Sequence, residues 1–271
     1  MKIIIPMAGL GTRFKKVADT NPEYIKPKPF IDVKGKPMVR WATGSLLCIS
    51  HPDTVKNDDQ NVMMSDLIFI ILKEHDEMYK LEKNLRAIYS NDIRVIVLPH
   101  ITRGAAETAL QAKPYVEPEE EIIITDSDHY FNGADFIAAI RNKNPEVAGI
   151  IPVFKARNDG IAKWSYSLLK EPEAKRSQIV RVGEKDADLM NAGAYANIGA
   201  YYFTKAKYFF TEAENVIEKN AIVNVAGKNE FYIAPLYENM LENGLRVDAV
   251  VLDTVWGLGT PEDLEYFITH N

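Results

Sequence analysis

MAGLGTRFKK, residues 7–16, follows directly on the apolar run Ile3-Ile4-Ile5. An apolar, β-branched run that meets Pro6 and then two glycines reads as a strand feeding a tight turn. Such a turn brings bare backbone N–H groups close to something negative. Arg13, Lys15 and Lys16 follow at once, so the expected occupant is a small anion at a sheet edge.

Two familiar Gly-rich motifs do not fit. A dinucleotide fingerprint needs a third glycine where Phe14 stands, and an acidic residue about 20 positions on, where TNPEYIKPKPF (20–30) holds three prolines. A Walker loop needs Gly-Lys-[Ser/Thr], whereas Gly35-Lys36 precedes Pro37 and Gly227-Lys228 precedes Asn229.

Further along the chain, strand patterns fall at 2–5, 67–72, 93–98, 121–125, 147–153, 178–183, 197–203 and 247–252. Helical patterns fall at 37–49, 76–89, 104–115, 134–141, 205–218, 231–243 and 261–269. Strands alternating with helices predict an α/β fold, and the continuous apolar runs suit a sheet covered on both faces. Functional groups in such folds gather beyond the C-terminal strand ends, here after Ile5, Leu98 and Thr125. Residues 51–66 and 221–230 are polar and without period, and read as loops. After about residue 145 the alternation loosens, which points to a mixed sheet.

The chain has 271 residues, 46% hydrophobic and 26% charged, enough for a full core. A net charge of -6 argues against general binding to nucleic acid or a membrane surface. The single cysteine, Cys48, sits in an apolar run and excludes an internal disulfide framework or a multi-cysteine zinc site. The run Ile3–Ile5 is too short for a signal segment, and no apolar stretch approaches the ~20 residues of a membrane span. A cytoplasmic protein is expected.

Strand, Met-Ala-Gly-Leu-Gly-Thr-Arg-Phe, a Pro-rich loop, then Lys28-Pro29-Phe30-Ile31-Asp32-Val33 and Gly35-Lys36-Pro37-Met38 come in order. This composite resembles the signature of the sugar-phosphate nucleotidyltransferases, of the glucose-1-phosphate thymidylyl- and uridylyltransferase kind. The resemblance implies a three-layer α/β/α fold with a mixed, mostly parallel, GT-A-like sheet. It implies one domain over 1–271, with about 1–145 on the nucleotide side and about 146–271 on the acceptor side. It implies that NMP passes from an NTP to a sugar 1-phosphate, giving pyrophosphate and an NDP-sugar for capsule or cell-surface polysaccharide. On that basis Ala8, Gly9, Leu10, Gly11, Thr12 and Arg13 hold the triphosphate, and Arg13 and Lys28 are catalytic. Glycines 9 and 11 allow close backbone approach, Arg13 offers forked donors and Lys28, rather than Lys26, a point charge.

IIITDSDHYFNG, residues 122–133, runs from an apolar strand into Asp126-Ser127-Asp128. Carboxylates at such an edge suit Mg²⁺, or else a helix cap or Asx-turn. The resemblance assigns Mg²⁺ to Asp128, with Asp126 beside it. The family's second metal aspartate, aligned on Gly259-Thr260, falls on Gly257. Asp126 or Asp253 is then the replacement, or the metal has fewer protein ligands, or the chain lacks full catalysis. Gly104 and Ala105 match the turn that approaches base and ribose. Glu184, Lys185, Asn197 and Gly199 match the acceptor segments, although Asp186 stands where proline is usual. Asp159-Gly160 and Trp164-Ser165-Tyr166 are placed nearby. His75 and His129 lack zinc spacing. Three other readings go with these residues: a cytidylyltransferase acting on a phosphocholine-like alcohol or amide, a glycosyltransferase using Asp126-x-Asp128, and a nucleotide-binding sensor.

Overall fold

A computed structural model describes residues 1–46, 62–157, 160–225 and 228–271. Cys48, Asp159 and most of the 51–66 segment lie outside the described residues. Ten strands form one sheet: β1 (Lys2–Pro6), β2 (Leu67–Leu72), β3 (Arg94–Leu98), β4 (Ile122–Thr125), β5 (Val147–Phe154), β6 (Ser165–Leu169), β7 (Arg176–Glu184), β8 (Tyr195–Asn197), β9 (Ala200–Phe203) and β10 (Arg246–Val251). Their spatial order is β8-β6-β7-β10-β5-β9-β4-β1-β2-β3.

The sheet is mixed. β1 runs parallel to β2 and β4, with Ile3 opposite Leu67 and Ile123, and β2 runs parallel to β3. β5 and β10 are also parallel, but β9 runs antiparallel to both β4 and β5. β6, β7 and β8 pair antiparallel throughout. Parallel character therefore belongs to the first half of the chain and the β5–β10 pair, while antiparallel pairing dominates the second half. The predicted strand at 197–203 is broken by Gly199, whose φ of 86° turns the chain between β8 and β9.

Alternation along the strands divides the core between the two faces. Ile4, Ile122 and Ile124 pack beneath the helices Ala105–Leu110, Ala206–Glu218 and Ala234–Glu242. Ile3, Ile5 and Ile123 pack beneath Met38–Gly44, Leu81–Ile88 and Ala134–Arg141. The central strands, buried on both faces, read as unbroken apolar runs for this reason.

A smaller core positions the site. Phe14, Tyr24, Ile31 and Met38 close against Leu258, Leu264 and Phe267, so the segment after β1 is tied to the C-terminal helix Pro261–His270. That helix starts where its sequence predicts: the Thr260 hydroxyl accepts from the Asp263 amide, and Pro261 occupies the first turn. Fully burying Phe14 is worth about 1.5–3 kcal/mol.

The described parts of 221–230 hold two short strands that their polarity does not predict. Val223–Val225 and Lys228–Glu230 form a hairpin, and Phe231 then exchanges backbone hydrogen bonds with Arg103 and Ala106. Among the described residues no helix is long and apolar enough to cross a membrane.

Candidate functional site

A cavity of about 450 Å³ opens beyond the C-terminal ends of β1, β3 and β4. Ala8, Gly9, Leu10, Gly11, Thr12, Arg13, Lys28, Gly104, Ala105, Asp126 and Asp128 all line it. The three strand ends singled out from sequence thus converge on one space. Gly11, with φ of 65°, caps the single helical turn Thr12–Lys15 and packs on Lys28, where an added Cβ would lie 3.4 Å from the lysine Cβ. Gly104 is fixed more tightly. At φ of 144° a Cβ there would lie 2.5 Å from the Phe231 carbonyl oxygen.

A second cavity of about 500 Å³ adjoins the first and is lined by Glu184, Lys185, Asn197 and Gly199 with Trp164, Ser165, Tyr201, Tyr232, Thr260 and Asp263. Arg13, Ala105, Asp126, Asp128, Tyr232 and Gly259 line both spaces. The two cavities meet at the carboxylates.

At that junction the Lys28 ammonium donates to Asp128 Oδ2 at 2.6 Å. His129 Nδ1 lies 3.2 Å from Asp128 Oδ1. The Asp126 amide donates to the Gly199 carbonyl at 2.8 Å, and the Leu258 amide to the Asp128 carbonyl at 2.8 Å. Two glycines press on the carboxylates: a Cβ at Gly199 would sit 2.5 Å from Asp126 Oδ2, and one at Gly259 would sit 2.6 Å from Asp128 Oδ2.

The two acids differ electrostatically. Burial and the neighbouring Asp128 charge push the Asp126 carboxyl up to about 6. Burial acts upward on Asp128 too, but the charges of Lys28 and His129 outweigh it and hold it well below the usual carboxylate range. Burial works against the His129 imidazolium, yet the Asp128 carboxylate raises its pKa overall. The two carboxyl groups, the Lys28 ammonium and the His129 imidazole thus form one charge cluster at the junction.

In the second cavity, Glu184 accepts from the Ser165 hydroxyl and lies 3.6 Å from the Lys185 ammonium. Burial raises the Glu184 pKa against the pull of those two groups. Lys185 donates to the Tyr232 hydroxyl at 3.2 Å, with its ammonium 4.8 Å from that ring's centre. Asn197 Oδ1 accepts from Ser167, while its buried Nδ2 has no hydrogen-bond partner among the described residues. Asn197 itself lines the second cavity.

Sequence alternatives separate cleanly. Lys26 pairs with Glu23 at 2.6 Å and lines neither cavity. Asp253, 85% exposed, pairs with Lys175 and lines neither cavity. Asp186, in place of the usual proline, caps the helix Ala187–Asn191 by accepting from two amides. Gly257 pairs directly with His129 in the ribbon of His129–Phe131 and Val255–Gly257.

Sequence reasoning missed His129, Tyr232 and Glu230 as site residues. His129 was visible as the residue directly after Asp-Ser-Asp, whereas Tyr232 and Glu230 arrive through a hairpin whose docking is made by backbone. Arg13, Lys28 and the glycine turns form a cradle for a polyanion, and Asp126, Asp128 and His129 present ligand atoms within 4.8 Å of one another.

No family model matches the chain, and no curated protein sequence matches it. Solved structures share its fold across nearly its whole length. A nucleoside-diphosphate-sugar pyrophosphorylase from Vibrio cholerae RC9 superposes with a TM-score of 0.74 at 20% identity, covering 99% of this chain and 100% of that one. An inositol-1-phosphate CTP transferase from T. maritima gives 0.66 at 16% identity, covering 100% and 96%. A UTP-bound UGPase from Acinetobacter baumannii gives 0.66 at 14% identity, covering 99% and 92%. At these identities the likeness is one of fold.

Proposed function

We propose that the chain is a nucleotidyltransferase that moves NMP from an NTP to a sugar 1-phosphate and releases pyrophosphate. The observation that carries this reading is the pair of adjoining cavities, which share Arg13, Asp126 and Asp128 as their common wall. One cavity has the turn and cations for a triphosphate, and the other has a lysine and hydrogen-bonding groups for a phosphorylated acceptor. Residues of about 1–145 supply most of the nucleotide side and about 146–271 most of the acceptor side of one domain. Supply of an NDP-sugar for surface polysaccharide inside the cell is the corresponding role.

In this mechanism the Gly9–Thr12 backbone and Arg13 hold the β- and γ-phosphates, and Gly104 and Ala105 leave room for base and ribose. Lys185 holds the acceptor phosphate, and Asn197 with Glu184 orients its hydroxyls. An acceptor phosphate oxygen forms a bond to the α-phosphorus, the bond from that phosphorus to the bridging oxygen breaks, and pyrophosphate leaves. Arg13 and Lys28 offset the charge that develops, which is most of what phosphoryl-type substitution asks of a protein. The donor set fits a divalent cation, Mg²⁺ in the sequence-based expectation, held by Asp128 and Asp126. When bound it neutralises phosphate charge at the junction.

The test is pyrophosphate release with Mg²⁺ or Mn²⁺, scanning five NTPs against sugar 1-phosphates and phospho-alcohols. Release with one pair supports the reading, and silence with every pair overturns it. A second reading, a cytidylyltransferase acting on a phosphorylated cationic alcohol, is favoured by one feature. Trp164, Tyr201 and Tyr232 line the acceptor cavity together with the buried Glu184, a set suited to an ammonium head group. Release with CTP and phosphocholine alone selects it.

A further inference from the structure

We infer that His129 is a third protein ligand of the metal at this site, binding through Nδ1, and that the site accordingly takes Mn²⁺ in preference to Mg²⁺. The inference rests on the nucleotidyltransferase reading only in supposing that a metal is used, since its geometry is independent of substrate.

The two oxygens of Asp128 face different partners. Oδ2 is taken by the Lys28 ammonium at 2.6 Å, while Oδ1 faces His129 Nδ1 at 3.2 Å. That nitrogen is buried and, among the described residues, meets no partner in good hydrogen-bond geometry, so it faces Asp128 Oδ1 as an ion-pair contact that a metal ion can replace. A divalent cation that enters between the two displaces the imidazole proton and takes Nδ1 and Oδ1 together as ligands. Two ligands at right angles about one ion, each about 2.1 Å from it, are about 3.0 Å apart. The observed 3.2 Å is near that spacing, and the Asp126 carboxylate, in a set spanning up to 4.8 Å, closes in by under an ångström to meet the about 4.2 Å limit for ligands on opposite sides of one ion.

The surroundings keep the imidazole there. His129 begins a ribbon strand whose cross-strand partner is Gly257, so no side chain from that position competes for the space. Gly199, on the other side, leaves its Cβ position empty 3.1 Å from His129 Cε1. Trp164 flanks the ring at 6.2 Å between centres. An imidazole nitrogen is a poor ligand for Mg²⁺, which favours oxygen and water, and a better one for divalent first-row transition ions, among which Mn²⁺ binds most weakly and is the nearest mimic of Mg²⁺.

The experiment uses the full chain with Mn²⁺ alone. Continuous-wave EPR counts free Mn²⁺ and gives its affinity, Mg²⁺ competition gives the preference, and electron spin-echo modulation reads directly bound ¹⁴N. The wild-type chain is expected to show strong nitrogen modulation and at least about tenfold tighter binding of Mn²⁺ than of Mg²⁺. His129→Ala is expected to lose the modulation and to weaken Mn²⁺ at least about tenfold, with Mg²⁺ affinity little changed. Bound Mn²⁺ without nitrogen modulation overturns the inference, and that result needs no variant to fold. So does an absence of Mn²⁺ binding at millimolar concentration. Pyrophosphate release without nitrogen modulation removes His129 and keeps the proposed activity. Nitrogen modulation without release on any substrate pair removes the activity and keeps the metal site.

Discussion

Lys28 and Asp128, a hundred residues apart in sequence, are joined by a 2.6 Å contact between ammonium and carboxylate at the junction of the two cavities. The pair is largely buried, with 27% and 13% of the two side chains exposed. Its members are held separately: Lys28 by the Pro-rich loop packed on Gly11, and Asp128 by the Leu258 amide on its carbonyl. Asp128 is followed by the ribbon strand His129–Phe131 and not by a helix, so it is not a helix cap. An ammonium poised on a carboxylate at a strand edge can turn to a phosphate when one arrives.

Lys28→Ala and Asp128→Asn are therefore expected to lower pyrophosphate release by at least about 100-fold each, the scale of losing one preorganised charge. Because the two act on one centre, the double variant should cost little more than either single one. Steady-state rates with circular dichroism as a folding control check this. Near wild-type turnover in either single variant removes that residue from the mechanism.

Gly199 and Gly193 offer a matched comparison. Both have positive φ, 86° and 82°, but only Gly199 is crowded, by the Asp126 carboxylate and His129. Gly193→Ala should cost roughly 1 kcal/mol of stability and leave turnover unchanged. Gly199→Ala should add displacement of Asp126 and lower turnover at least about tenfold, by the usual sensitivity to a misplaced group. Urea denaturation and initial rates separate the two effects.

What could be read from sequence follows a physical line. The strand ends at Ile5, Leu98 and Thr125 were legible because central strands are apolar on both faces, and the chemistry must sit where they stop. Lys28 was legible through its neighbours Pro29 and Phe30, although Lys26 carries the same charge two residues earlier. The register in which Phe231 docks on Arg103 and Ala106 was not, because its backbone hydrogen bonds leave no trace in residue type. The break in 197–203 rests on one φ angle at Gly199, which a β-rich run conceals. His129 was written plainly beside Asp128, but its Nδ1 becomes a partner for the carboxylates only through a ribbon that places Gly257 opposite it.

Lys185 and Asn197 should affect one substrate only. Lys185 leans on Tyr232, and both Lys185 and Asn197 line the second cavity. Lys185→Ala and Asn197→Ala are expected to raise KM for the acceptor at least about tenfold, the worth of a lost hydrogen bond to a charged group, with KM for the NTP within about twofold. Equal effects on both substrates would contradict the division into two compartments.

His75 gives a pH prediction outside the site. It is 2% exposed in the helix Lys73–Tyr79, and neither ring nitrogen has a hydrogen-bond partner among the described residues. Burial, aided by the Lys15 charge, lowers its pKa below the ordinary 6.5. The unfolded chain therefore takes up a proton at 6.5 while the folded chain refuses it, so His75 lowers stability as pH falls through 6.5 and stops doing so below the folded value. Above that window both states are neutral and the contribution is constant. His75→Leu removes two unpaired buried polar atoms and should stabilise by roughly 1–3 kcal/mol at pH 7.5. Its advantage over the wild type should grow at pH 5.5. Paired urea midpoints at the two pH values measure that difference, and other titrating groups cancel between the two proteins. A gap that stays constant or shrinks on acidification would mean that His75 is protonated in the fold.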